Sequence, residues 1–200
     1  MEDEHRLDRN EVLEHIKWME PSEHTSLFYS SREDKRFVLF SYLKAGLVRN
    51  EAAVYVASQE TPDQIIQAMR AIRIDTDALE KSGALYMIHS KGRYVVKGRF
   101  SVSKTMEFWK RLYEKRMTDG FTNMRVAGEM TYFHENRMEK EVIEYKKTLG
   151  RRLALPGTAI CAYDHRLLAE TREPDLFLEL IKAHGAVIVA EPQGGVLSWK

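Results

Sequence analysis

The sequence predicts an α/β fold, a doubly wound and mostly parallel sheet packed between two helical layers. Three observations predict it. Phe37, Phe40, Leu43 and Leu47 recur at the three- and four-residue spacing of one helix face. Ala52 to Ala57, AAVYVA, is apolar without alternation, as a strand covered on both faces must be. A turn then leads into a second helical pattern at Ile65, Ile66, Met69 and Ile72. In such sheets ligands sit beyond the carboxyl ends of the strands.

The other elements follow in chain order. Residues 7–20 predict an N-terminal flanking helix with Val12, Leu13, Ile16 and Met19 as its stripe, ending before Pro21. His24 to Tyr29 read as the first strand, and Ser30-Ser31-Arg32-Glu33-Asp34 enters the helix that carries Phe37 to Leu47, with Gly46 near its stop. After AAVYVA, Thr61 is placed to cap the next helix and Pro62 to occupy its first position. Asp75 to Lys81 forms a short helical turn, and Gly83 releases a third strand, Ala84 to Ile88. Lys91 to Phe100 is a basic loop that reads as solvated rather than as a nucleic-acid contact. Met106, Trp109, Leu112, Tyr113 and Met117 space out a long amphipathic helix from Ser103 to Asp119-Gly120. Phe121 to Ala127 gives a fourth strand delivering Gly128-Glu129, and residues 132–149 a single helix. Gly157 to Tyr163 is a fifth strand ending at Asp164-His165, Glu173 to Ala183 a helix, Gly185 to Val189 a sixth strand, and Val196 to Trp199 an edge.

Two hundred residues suit one core. The expected organisation is a flanking helix over 1–22 and one domain over 23–200. A net charge of +1 shows no bias toward nucleic acid or membrane, and no apolar run reaches a membrane span. The acidic, polar start does not resemble a signal peptide, so a cytoplasmic location is expected. The single cysteine, Cys161, excludes an internal disulfide and a multi-cysteine zinc cage, and the seven histidines show no HExxH spacing, so no metal and no cofactor are expected.

Parallel strands bring Tyr29, Ser30, Ser58, Gln59, Glu60, His89, Glu129, Tyr163, Asp164 and His165 to one crevice. Glu129 stands out, because Gly128 permits close approach and a carboxylate at a buried strand end serves as base or ligand anchor; a salt bridge with Arg125 is the structural alternative. Cys161 in mid-strand is a small hydrophobe or a ligand-sensing thiol. Asp164 and His165 form an acid/base pair or a helix cap. His24, starting the first strand, lies far from Ser30 and reads as structural. The YSSREDKRF joint has no glycine and no lysine followed by Ser or Thr, so it lacks a phosphate cradle.

HTSLFYSS, FSYLKAGLVRNEAAVYVA, GALYMIHS, GRYVVKGRF, GFTNMRVAGEMTYF and ICAYDHRLL together resemble the MEDS domain, a prokaryotic sensory module named for methanogens, methylotrophs and the regulator of dichloromethane metabolism. The likeness runs from about His24 to Val189. Its most specific pieces are Arg125 to Met130 and Cys161 to Asp164. The resemblance implies a non-enzymatic sensor of small organic compounds, attached in the family to kinase or DNA-binding partners, with ligand roles falling on His24, Tyr29, Glu129 and Cys161. No output domain is visible in this sequence, so signalling is expected through a separate kinase or transcription regulator, or through homo-oligomerisation. The expected ligand site comprises Tyr29, Ser30, Glu60, Arg125, Glu129, Cys161, Tyr163, Asp164 and His24. A second likeness lies inside the first: NEAAVYVASQETPDQIIQAMRAIRIDTDALEKSGALYMI is similar to the core of circadian-clock and RecA-like ATPases. There Glu60 takes the place of the acidic residue that activates water. The alternative function is therefore an ATP-binding protein or ATPase, with Glu60 as base and Ser30-Ser31 as an atypical phosphate site.

Overall fold

Ser31 sets the first joint of the fold. Its hydroxyl accepts the Asp34 N–H and caps a helix that starts earlier than the apolar spacing indicates, α2 at Arg32–Leu47, directly after β1 at His24–Tyr29. The computed structural model describes residues 9–199 apart from 92, 97, 98, 172, 174, 192 and 193. The expected N-terminal helix is observed as α1, Arg9–Lys17, and residues 7 and 8 lie outside the described residues.

β2 is Ala52–Ala57, buried throughout as its composition requires. Thr61 and Gln64 then form a reciprocal capping box with Pro62 in the first turn of α3, Pro62–Ala71. Asp75 caps α4, Thr76–Lys81, and β3 follows at Leu85–His89. In the basic loop, Val95–Val96 and Arg99–Phe100 pair as the two-residue strands β4 and β5, while Gly92, Lys97 and Gly98 lie outside the described residues. Helix α5, Val102–Thr118, leads to β6, Met124–Glu129. β6 begins three residues later than Phe121 because Thr122 is first held by the Asn50 carbonyl, and it runs on to include Glu129.

The single helix expected over 132–149 is two, α6 at Thr131–Glu135 and α7 at Glu139–Leu149. Arg137 takes a φ of 55° between them, which no α-helix tolerates, and the Asn136 side chain donates back to the Tyr132 carbonyl. β7 is Thr158–Asp164, and Asp164 caps α8, His165–Glu170, a helix the sequence pattern does not reveal. α9 is Leu176–Ala183, β8 is Ala186–Glu191 and β9 is Gly194–Trp199.

The sheet order is β3-β2-β6-β7-β1-β8-β9. The first six are parallel, and β9 runs antiparallel along β8. One face carries α1, α2, α3 and α4 through Val12, Ile16, Leu39, Tyr42, Ile65, Met69 and Leu79; the other carries α5, α6, α7 and α9 through Trp109, Phe133, Tyr145 and Leu180. This is the RecA-like three-layer α/β/α arrangement. Alternation along β6 divides its side chains, with Arg125, Ala127 and Glu129 toward α2 and Met124, Val126 and Gly128 toward α5 and α7. Gly46 lies inside the last turn of α2, one residue before its end, and is glycine for a packing reason: a Cβ there would meet the Arg125 side chain at 2.5 Å. No helix among the described residues is long and apolar enough to cross a membrane.

Candidate functional site

Lys35 lies on the inner face of α2 one turn before Val38 and Leu39, so its side chain runs under the sheet to the strand ends. Its Nζ is 2.6 Å from Glu129 Oε1, which also accepts the Tyr55 hydroxyl at 2.7 Å. Glu129 Oε2 accepts the N–H groups of Ser58 and Gln59 at 2.6 and 2.8 Å, donors freed where β2 ends. The carboxylate is fully buried and engaged by four donors, two of them backbone. Burial and this charge raise the pKa values of Tyr55 and Tyr29, which keeps both phenols neutral.

The network continues outward. Lys35 Nζ is 3.1 Å from Glu60 Oε2, and Arg36 pairs with Glu60 Oε1. Burial alone would raise the Glu60 pKa, but the Arg36 hydrogen bond and the Lys35 charge outweigh it and hold the group low. Tyr29 donates to Gln59 Oε1 at 3.0 Å, and Gln59 Nε2 donates to Asp164 at 3.2 Å. Burial likewise pushes Asp164 up, and hydrogen bonds from Arg166 and Gln59 bring it below the usual range. A strand-end crevice of this kind is a connected polar lock.

On the other face of the sheet lies a cavity of about 60 Å³, which at roughly 30 Å³ for each water-sized occupant holds about two such groups. Val126 and Gly128 of β6 and Ala159 of β7 form its floor, Trp109 and Leu149 its walls, and Leu153 to Leu155 the side nearest solvent. The Trp109 indole donates to the Tyr145 hydroxyl at 2.7 Å, which spends the one N–H of Trp109 and leaves Tyr145 with its own O–H to donate. Its polar edge is Lys146 and Cys161, with Lys146 Nζ 2.8 Å from Cys161 Sγ and both side chains buried. Lys146 comes from the inner stripe of α7, between Val142 and Leu149.

Behind Cys161 stand two buried imidazoles. His24 Nε2 is 3.4 Å from Cys161 Sγ, and His24 Nδ1 donates to the Gly150 carbonyl at 2.7 Å. His184 donates from Nδ1 to the Leu180 carbonyl at 2.7 Å, and its Nε2 has no hydrogen-bond partner. The two rings pack tilted at 46° with centroids 4.1 Å apart. Burial, then the Lys146 charge, lowers the His24 pKa to about 3; burial and the neighbouring His24 lower that of His184, so both rings are neutral at neutral pH.

The structure therefore divides the sequence-derived residues. Tyr29, Glu60, Glu129 and Asp164 meet in the strand-end network, and Ser30 lies half-buried beside it. Arg125 sits toward the amino end of β6, fully buried, pairing with Glu51 and donating to the carbonyls of Ile16, Lys17 and Tyr42; the partner of Glu129 is Lys35 instead. His24 and Cys161 meet on the cavity side, with Tyr163 two residues along the same face and its ring against Phe28 and His184. His165 starts α8 and is exposed. Sequence reasoning missed Lys35, Lys146 and His184. The lysines leave one trace, a cation on the apolar stripe of a helix; His184 leaves none.

A family model described as MEDS, the MEthanogen/methylotroph, DcmR Sensory domain, matches residues 23–185. No curated protein matches the sequence. Among solved structures, a KaiC-like protein from the hyperthermophilic archaeon Pyrococcus horikoshii OT3 superposes with a TM-score of 0.59 at 15% identity, covering 84% of this chain and 71% of that one. A second protein of the same organism gives a TM-score of 0.63 at 10% identity, over 93% of this chain and 90% of its own. At these identities the likeness is one of fold.

Proposed function

The chain belongs to the MEDS family of sensory domains, and we propose that it acts without catalysis, by binding a small organic molecule in the cavity above β6 and β7. The observation that carries this reading is the cavity itself: apolar floor and walls, one cation–thiol edge at Lys146 and Cys161, and room for about two water-sized groups. A short apolar molecule with one polar atom fits that chemistry. Its greater affinity for one of two states of the domain would bias contact with a signalling partner or a second copy. This moves the ligand from the strand-end crevice expected from the sequence to the opposite face of the same strands.

The strand ends support the non-catalytic half of the proposal. A carboxylate held by Lys35 and Arg36 and kept ionised by them is a weak general base, which counts against Glu60 as an activator of water.

Thermal denaturation in the presence of short alcohols, amines, carboxylates and halocarbons tests the binding claim. A stabilising compound should lose its effect in Val126→Phe, which fills the cavity floor, and keep it in Tyr29→Phe. The reverse pattern would return the ligand to the strand ends. ATP that stabilises wild type but not Glu60→Gln would replace the sensory reading with the nucleotide one.

A further inference from the structure

We infer that His24, Cys161 and His184 form a binding site for a single transition-metal ion of the Zn²⁺ type, ligated by two imidazole nitrogens and one sulfur. The three donor atoms all lie within 4.8 Å of one another and all three residues are buried. In a tetrahedral site with metal–nitrogen bonds of about 2.0–2.1 Å and a metal–sulfur bond of about 2.3 Å, the donors stand roughly 3.3–3.6 Å apart. His24 Nε2 and Cys161 Sγ are already 3.4 Å apart, so only His184 has to move, and by about an ångström.

The surroundings prepare these donors. Each imidazole spends Nδ1–H on a backbone carbonyl, Gly150 for His24 and Leu180 for His184. That fixes the tautomer with the Nε2 lone pair directed inward, the second-shell arrangement that orients metal-bound histidines. The His184 Nε2 lone pair is buried without a hydrogen-bond partner, a cost that a metal bond would remove. The thiol proton leaves to solvent when the metal–sulfur bond forms. Loss of that proton means a divalent ion adds one positive charge to the core and not two, and Lys146 Nζ, 2.8 Å from the sulfur, donates to the thiolate. Two nitrogens and a sulfur suit Zn²⁺, Cu²⁺ or Co²⁺ and not Mg²⁺ or Ca²⁺, which take oxygen. Three protein ligands leave one position for water or an exogenous donor. The site includes none of the cavity's apolar walls and forms whether or not an organic ligand binds there.

The test is titration of the chelator-treated full chain with Co²⁺ and then Zn²⁺. One equivalent of Co²⁺ should bind and give the near-ultraviolet charge-transfer band of a thiolate–cobalt bond, and Zn²⁺ should displace it and raise the thermal midpoint. His184→Gln should weaken Co²⁺ binding by about a hundredfold or more, and Cys161→Ser should abolish the charge-transfer band. Mg²⁺ should do nothing. Absence of that band in the wild-type protein overturns the proposal without reliance on any variant, and so does Co²⁺ binding that His184→Gln and Cys161→Ser leave unchanged.

Discussion

Replacing Glu129 by glutamine tests the strand-end lock most directly. Its carboxylate receives Lys35 and Tyr55 on one oxygen and the Ser58 and Gln59 amides on the other. An amide at position 129 keeps one acceptor and turns the other atom into a donor, so either the ammonium and phenol or the two backbone N–H groups face a donor of their own kind. Breaking one partner of a buried ion pair costs about 3–5 kcal/mol. Lys35 keeps Glu60 at 3.1 Å and Gln59 at 3.5 Å, which places Glu129→Gln near the lower end, at about 3 kcal/mol. Glu129→Ala strands two amides as well, at about 1–3 kcal/mol each, and approaches the whole stability of a domain. Urea unfolding followed by far-ultraviolet circular dichroism measures both. A cycle of Glu129→Gln, Lys35→Met and the double variant isolates the pair, with a coupling above about 1 kcal/mol expected for groups in contact. A change below about 1 kcal/mol for Glu129→Gln, or additive effects around the cycle, would refute the reasoning.

Burial lowers the His134 pKa to about 4, and neither ring nitrogen has a hydrogen-bond partner. The folded pKa lies below the unfolded 6.5, so between pH 6.5 and about 4 the unfolded chain binds a proton the folded one refuses, and stability falls as pH drops through that window. The loss is at most about 3 kcal/mol, less what Glu139 at 3.9 Å returns to a charged ring; His134→Leu should flatten the slope relative to wild type in urea titrations at pH 7 and pH 4.5. Arg125→Met should cost about 3 kcal/mol, since it takes the buried partner from Glu51 Oε2, leaving Arg49 on Oε1, and removes the guanidinium donors to the carbonyls of Ile16, Lys17 and Tyr42; limited proteolysis should cut first near α1. Gly46→Ala should lose at least about 1–3 kcal/mol, because its methyl collides with that same arginine; calorimetry reads the drop.

The fold was largely legible because its signals are local. AAVYVA announces a strand buried on both faces, and Thr61-Pro62 with Gln64 announces a helix start. The break at Arg137 was not, since a positive φ at arginine has no compositional sign and the apolar spacing continues across it. In the site, Glu129 was legible from its place at a strand end, but its partner was not. A lysine on a helix reads as a solvated cation until the sheet shows that Lys35 and Lys146 point inward. His24 lies at the far end of its strand, as its place in the sequence indicates, yet Cys161 sits in mid-strand, and the register that sets His24 beside Ala159 brings the two residues within reach. Contacts between residues so distant in sequence come from register and topology, which no spacing encodes.

β6 is a membrane in the mechanical sense, a partition a single backbone thick with different loads on its sides. Toward α5 it presents Val126 and Gly128 to the apolar cavity; toward α2 it presents Arg125 and Glu129, which grip the end of the first helix and the start of the second through charged hydrogen bonds. Such bonds weaken steeply with a few tenths of an ångström, whereas soft apolar contacts yield. A guest that bows this partition would therefore be felt first on its far side, as slack or tension in the grip on α1.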